Sequence, residues 1–129
     1  MAKKVEELPL YSKIIEFSSA VSAMSDRPAF RRNSKLRNQI VGANDSIGAN
    51  LEEGFEQGTD RAFARYVTIS KGSLGETLGH LRRAYRKKCM TQGELQELIV
   101  LGEALGKMLG GFIKYLQRSD FKDRGHHTD

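Results

Sequence analysis

At 129 residues the chain has room for one continuous hydrophobic core and too little for two, so a single domain is expected. Hydrophobic residues at 39% and charged residues at 29% exclude disorder of the whole chain, and a lone cysteine excludes an intrachain disulfide. The formal net charge of +5 is compatible with a polyanion partner without requiring one, so the placement of the cations matters more than their excess.

Two prolines, no tryptophan and an abundance of Leu, Ala, Glu, Lys and Arg favour helices over a sheet, and the expected class is all-α. No apolar run reaches the roughly 18 residues of a membrane span. The opening MAKKVEELPL lacks a signal-peptide core, so a soluble, cytoplasmic protein is expected. Residues 1–8 read as a polar lead-in, 9–118 as the helical domain and 119–129 as a flexible tail. The first helix is predicted from Pro9, at a position that tolerates a missing N–H, to Met24, with Leu10, Ile14, Phe17, Val21 and Met24 on one face. Ser25 to Pro28 break it. A second helix is predicted from Ala29 to Glu53, striped by Leu36, Ile40, Ala43, Ile47 and Leu51. Gly54, Gly58 and Thr59–Asp60 read as a stop followed by an N-cap. A third helix then runs from Asp60 to Lys88, its inner face being Phe63, Val67, Ser70, Leu74, Leu78, Leu81 and Tyr85. Cys89, beside Lys87 and Lys88, is expected to be exposed. Thr91 with Glu94 matches a capping box and opens a fourth helix ending near Gln117, striped by Leu95, Leu98, Leu105, Leu109, Phe112 and Leu116. Short connections between amphipathic helices predict an antiparallel, up-down-up-down four-helix bundle.

Two stretches stand out, SIGANLEEG at 46–54 and ISKGSLGETL at 69–78. Leu36 and Gln39, Ser46-Ile47, Ala49-Asn50, Glu53-Gly54, Phe63, and Gly72-Ser73-Leu74 with Glu76 resemble the signature of the four-helix-bundle proteins encoded in intervening sequences of bacterial large-subunit ribosomal RNA genes. The resemblance spans about Leu10 to Leu116. It implies a cytoplasmic homopentamer without enzymatic activity. A related branch comprises the accessory proteins of diversity-generating retroelements, basic pentamers that bind a reverse transcriptase and its RNA template. Gly48, Val41-Gly42 and Arg32 depart from the family pattern, which often has a proline, a basic pair and an acid at these places.

Chemistry-bearing constellations are scarce. Gln39, Ser46, Asn50 and Glu53 share a helical face and read as a structural polar seam, with Glu53 pairing to Arg61 or Arg65; together with Gly54, Gly72 and Ser73 they are taken as fold-defining. A carboxylate without a nearby His or second acid makes no catalytic site. His80 has no neighbour in sequence, and His126 and His127 are adjacent rather than spaced for one helix face, so neither a metal nor any cofactor is expected. Gly75, Gly79, Gly102, Gly106 and Gly110, with Gly72, lie inside helices at about 1 kcal/mol each relative to Ala. In a hairpin turning near Met90, Gly79 stands by Gly102, Gly75 by Gly106 and Gly72 by Gly110, which predicts a crossing closer than the usual 8–10 Å or so. The competing reading puts one row at a subunit interface.

The cations form two acid-free clusters: Arg27, Arg31, Arg32, Lys35 and Arg37, and Arg82, Arg83, Arg86, Lys87 and Lys88. The bundle topology places both at one pole. Cations at the end of the third helix suit its dipole, whereas Arg31 and Arg32, near a helix start, are disfavoured by roughly 0.3–1 kcal/mol and point to a ligand. Structured RNA or an RNA–DNA intermediate is the expected partner, with Tyr85 as a stacking surface and a reverse transcriptase as a further partner. The alternative is an oligomeric scaffold whose charge is only solvated.

Overall fold

The computed structural model describes residues 2–127, with side chains through Asp120. Five α-helices and a 3-10 turn at Val5–Glu7 make up the described residues, and no strand occurs among them. The helices are α1 (Pro9–Ser25), α2 (Pro28–Arg31), α3 (Ser34–Phe55), α4 (Asp60–Arg86) and α5 (Gln92–His127). Pro9 opens α1 at the position where its absent N–H costs nothing. Thr59 caps α4 by accepting the Ala62 N–H at 3.1 Å. Thr91 and Glu94 form a reciprocal capping box at α5: the Glu94 N–H donates to Thr91 Oγ1 at 3.1 Å, and the Thr91 N–H donates to Glu94 Oε1 at 2.8 Å.

α1 packs on α3 and α5, α3 on α4, and α4 on α5. Asn44 Nδ2 donates to Ser18 O, Gly54 lies against Tyr66, and Gly102 lies against Leu78. Arg37 with Ser25, Ser70 with Ile47 and Gly106 with Leu74 extend those three pairings, so residue numbers run in opposite senses across each pair. Phe17, Phe30, Ile14, Ile40, Ile47, Leu51, Leu81 and Leu109 fill the core, each contributing about 1.5–3 kcal/mol of transfer free energy.

The expected second helix is two helices. On one continuous helix Phe30 would project away from the Leu36 and Ile40 face; the break at Arg32 and Asn33 lets all three enter the core. Asn33 takes φ −124° and ψ 58°, and its Nδ2 donates back to Ala29 O at 3.0 Å. α5 likewise continues past Gln117 to His127.

The glycine rows do not meet as expected. Gly102, Gly106 and Gly110 do face α4, but they meet Leu78, Leu74 and Lys71, while a Cβ added at Gly72, Gly75 or Gly79 would find open space. The register of the hairpin is right and the rotation of α4 is not, because Leu74 and Leu78 already occupy its inner face. A Cβ on Gly102 would meet the end of the Leu78 side chain at 2.7 Å, and an equally near approach, this time to a Cβ, lies between α3 and α4. A Cβ on Gly54 would stand 2.7 Å from Tyr66 Cβ and 2.8 Å from Phe63 Cδ1. Small hydroxyl residues line the rest of that seam: Ser70 Oγ donates to Ile47 O, and Ser73 Oγ donates to Ser46 Oγ at 2.8 Å. Asn50 Nδ2 completes the network by donating to Ser46 O at 2.8 Å and to Ser46 Oγ at 2.9 Å. Gln39 and Glu53 are exposed and stand apart from this network, and among the described residues no ion pair joins Glu53 to Arg61 or Arg65.

Candidate nucleic-acid interface

Where α4 ends, the chain reverses through a Schellman turn. The Cys89 N–H donates to Ala84 O and the Lys88 N–H to Tyr85 O, both at 2.9 Å. The residue in the left-handed position is Lys88, with φ 65°, where glycine carries no Cβ penalty. This reversal also overturns the expected exposure of Cys89. The thiol is turned under the pole, 3% exposed, with its sulfur 3.6 Å from Asn33 Nδ2 and 3.8 Å from Ala29 O.

Two open depressions flank the end of α4. The first, of about 490 Å³, has a floor that includes Ala29, Cys89 and Met90, and a rim of Arg27, Tyr85, Arg86 and Lys88. The second, of about 360 Å³, brings Arg32, Lys35 and Gln39 of the α2–α3 side against Arg83 and Lys87 of α4. Seven of the ten predicted cations are thus gathered from two distant segments around one helix end. Arg31 and Arg82 are exposed but line neither depression, and Arg37 is turned inward.

Not all these cations are equally available. Arg37 Nε donates to Ser25 O, and its Nη2 pairs with Asp26 Oδ1, both at 2.9 Å, so this residue clamps the end of α1. Arg27 Nη1 pairs with Glu94 Oε2 and tethers the α1–α2 connection to the start of α5. The Thr91 N–H holds the Glu94 carboxyl below the ordinary glutamate range against the opposing effect of desolvation, and the Arg27 guanidinium adds to the lowering. The remaining eight cations form no salt bridge among the described residues, although Arg83 Nη1 lies 2.7 Å from His80 Nδ1.

The helix break revises the dipole reasoning. Arg31 closes α2 and so does not stand at a helix start, whereas Arg32, which caps α2, directly precedes the Asn33 N-cap of α3. The most unfavourable place falls to Lys35, in the first turn of α3, where no acid offsets it. Gln39 and Ser34, which line the second depression, were not singled out as contact residues from the sequence. Among the described residues no group of His, Cys, Asp and Glu is placed to hold a metal ion, and no helix is long and apolar enough to cross a membrane. His126 and His127 lie outside the described side chains.

Residues 6–111 match the family model described as 23S rRNA-intervening sequence protein. The chain belongs to that family. Its fold is similar to the crystal structure of a protein of unknown function from the S23 ribosomal protein family of Bacteroides thetaiotaomicron VPI-5482. The two share 21% identity over 81% of this chain and 98% of that one, with a TM-score of 0.73. No curated protein matches. The matched span includes Ser46–Gly54 and Gly72–Glu76, which the structure places in the α3–α4 seam and on α4 beside it.

Proposed function

We propose that this family member is a non-enzymatic, basic oligomer that binds nucleic acid, structured RNA or an RNA–DNA intermediate, through the pole around the end of α4. The observation that carries the reading is the convergence of Arg32, Lys35, Arg83 and Lys87 on one depression and of Arg27, Arg86 and Lys88 on the next. Like charges gathered in this way repel one another, and phosphates relieve that repulsion while releasing condensed counterions. Arginine, with a fork suited to phosphate oxygens, supplies four of the seven.

The four long helices are read as an up-down-up-down bundle that assembles into a cytoplasmic homo-oligomer, a pentamer by family resemblance. Apolar surface left open on the chain supports assembly: Ile69 beside the outward Gly72, Gly75 and Gly79 on α4, and Val100 and Tyr115 on α5. Around a cyclic assembly the basic poles would form a ring. A reverse transcriptase is the proposed protein partner, on the resemblance to the retroelement accessory branch.

Binding isotherms for RNA and DNA at several salt concentrations test the nucleic-acid reading. Neutralising Z phosphates gives a slope of log affinity against log salt of about −0.7Z for single strands and −0.9Z for duplex. Arg83→Glu with Lys87→Glu, and separately Arg86→Glu with Lys88→Glu, are expected to weaken binding and flatten that slope, with the helix content and oligomer unchanged. Undiminished affinity in both double variants refutes the polar site.

A further inference from the structure

The two depressions beside α4 differ in a way that charge alone does not explain. The one lined by Arg32, Lys35, Arg83 and Lys87 has Asn33, Ser34, Gln39 and the buried Leu36 as companions and contains no aromatic residue. The other pairs its cations with Tyr85, 36% exposed, over an apolar floor of Ala29 and Met90. A site for phosphate alone gains nothing from an exposed aromatic ring, whose negative face repels an anion. A nucleotide has both parts: a flat base that stacks on an aromatic ring, and a phosphate that pairs with cations.

We infer that the depression lined by Tyr85, Met90, Ala29, Arg86 and Lys88 holds one unpaired nucleotide, its base on the Tyr85 ring and its phosphate on Arg86 and Lys88. The inference rests on the proposed nucleic-acid reading and narrows it to strands with accessible bases, because a base inside a duplex offers no face to the tyrosine. Tyr85 lies on the same side of α4 as Leu74 and Leu78, one turn beyond Leu81, yet stays 36% exposed while Ala84, Cys89 and Met90 around it are buried, so its ring is the one apolar group of this wall that packing leaves open. Nor does the neighbouring ion pair close the site, for Arg27 engages Glu94 through Nη1 only and keeps other donors. The second depression, on the opposite flank of the same helix end, supplies a place for the adjoining phosphates. The strand would then run across the last turn of α4, with its base read on one side and its backbone held on the other. Stacking is tolerant of base identity, so little sequence preference is expected.

Fluorescence anisotropy with labelled oligouridylate and with a blunt RNA duplex of matched phosphate count tests this on the full chain. Loss of one stacked base costs about 1–3 kcal/mol, so Tyr85→Ala is expected to weaken single-strand binding by roughly 5- to 150-fold. Duplex affinity and the salt slope should stay unchanged, and Tyr85→Phe should bind like the parent. Circular dichroism and sedimentation confirm that the variants retain fold and assembly. If the parent binds both ligands and Tyr85→Ala binds the single strand undiminished, or loses both ligands equally, the nucleotide site is overturned while the basic pole stands. If the parent binds neither ligand, the nucleic-acid reading falls and takes this inference with it.

Discussion

The α3–α4 seam and the pole at the end of α4 are built from the same helix and obey different rules. Along the seam every unusual residue has a packing reason: Gly54 admits Tyr66 and Phe63, while Ser70, Ser73 and Asn50 use their polar groups on Ile47 and Ser46. At the pole the unusual residues lack one. Lys88 sits in a conformation suited to glycine, Lys35 stands at an unfavourable helix start, and Tyr85 is left outside the core. A helix interior shaped by close packing is expected to punish substitution. A surface that keeps costly residues is expected to reward it in stability and lose something else.

The largest effect should be at the seam. Gly54→Leu forces atoms into space already held by Tyr66 Cβ and the Phe63 ring, both anchored to α4, so overpacking of about 3 kcal/mol is expected. Urea denaturation at fixed protein concentration measures it, since oligomerisation makes the midpoint concentration-dependent. A neutral outcome would mean that α3 and α4 are not in close contact there. The outward glycines of α4 give the opposite sign. Gly72→Ala and Gly75→Ala should each stabilise by about 1 kcal/mol through helix propensity, because a Cβ at either place meets nothing. If instead either substitution weakens assembly in sedimentation, that face of α4 is the subunit contact. Thr91→Ala removes the oxygen that accepts the Glu94 N–H and should cost about 1 kcal/mol.

How much of this was legible in the sequence differs between the two regions. The helical stripes, Pro9 as a helix opener and the Thr91–Glu94 box are local signals, and each appears in the structure where its residues stand, save that Tyr85, expected on the inner face of α4, is exposed. The break at Asn33 was also signalled, because Phe30 is out of phase with Leu36 and Ile40 and an Asn-Ser pair intervenes. An uninterrupted stripe from Leu36 onward masked it. The glycine expectation failed on rotation. Leu74, Leu78 and Leu81 had already been assigned to the inner face of α4, and the turn of a helix puts Gly72, Gly75 and Gly79 on the other side. Height along a hairpin follows from residue number, but facing follows from the whole stripe. At the pole the clusters of cations were visible as sequence, whereas the burial of Cys89 was not. That depends on Lys88 adopting a left-handed turn, a conformation to which its residue type gives no clue.

The smallest effect is also the most discriminating, because it sets stability against binding at one residue. A left-handed conformation costs a residue with a Cβ roughly 1–2 kcal/mol, and glycine's greater freedom in the unfolded chain cancels part of the gain, so Lys88→Gly should stabilise by about 0.5 kcal/mol. Lys88→Asn should act in the same direction, since asparagine also tolerates this region while keeping a Cβ. Both variants keep the Schellman hydrogen bonds of Cys89 and Lys88, which are made by the backbone. Both also lose one cation from the rim that holds Arg27, Arg86 and Tyr85. If that cation contacts a phosphate, each variant should bind RNA a few-fold more weakly, with a salt slope shallower by about 0.7–0.9. Gain in stability with loss of affinity, shared by two chemically different replacements, assigns the cost of Lys88 to its ligand. Gain in stability with affinity and slope unchanged would make Lys88 a poorly chosen turn residue and remove it from the interface.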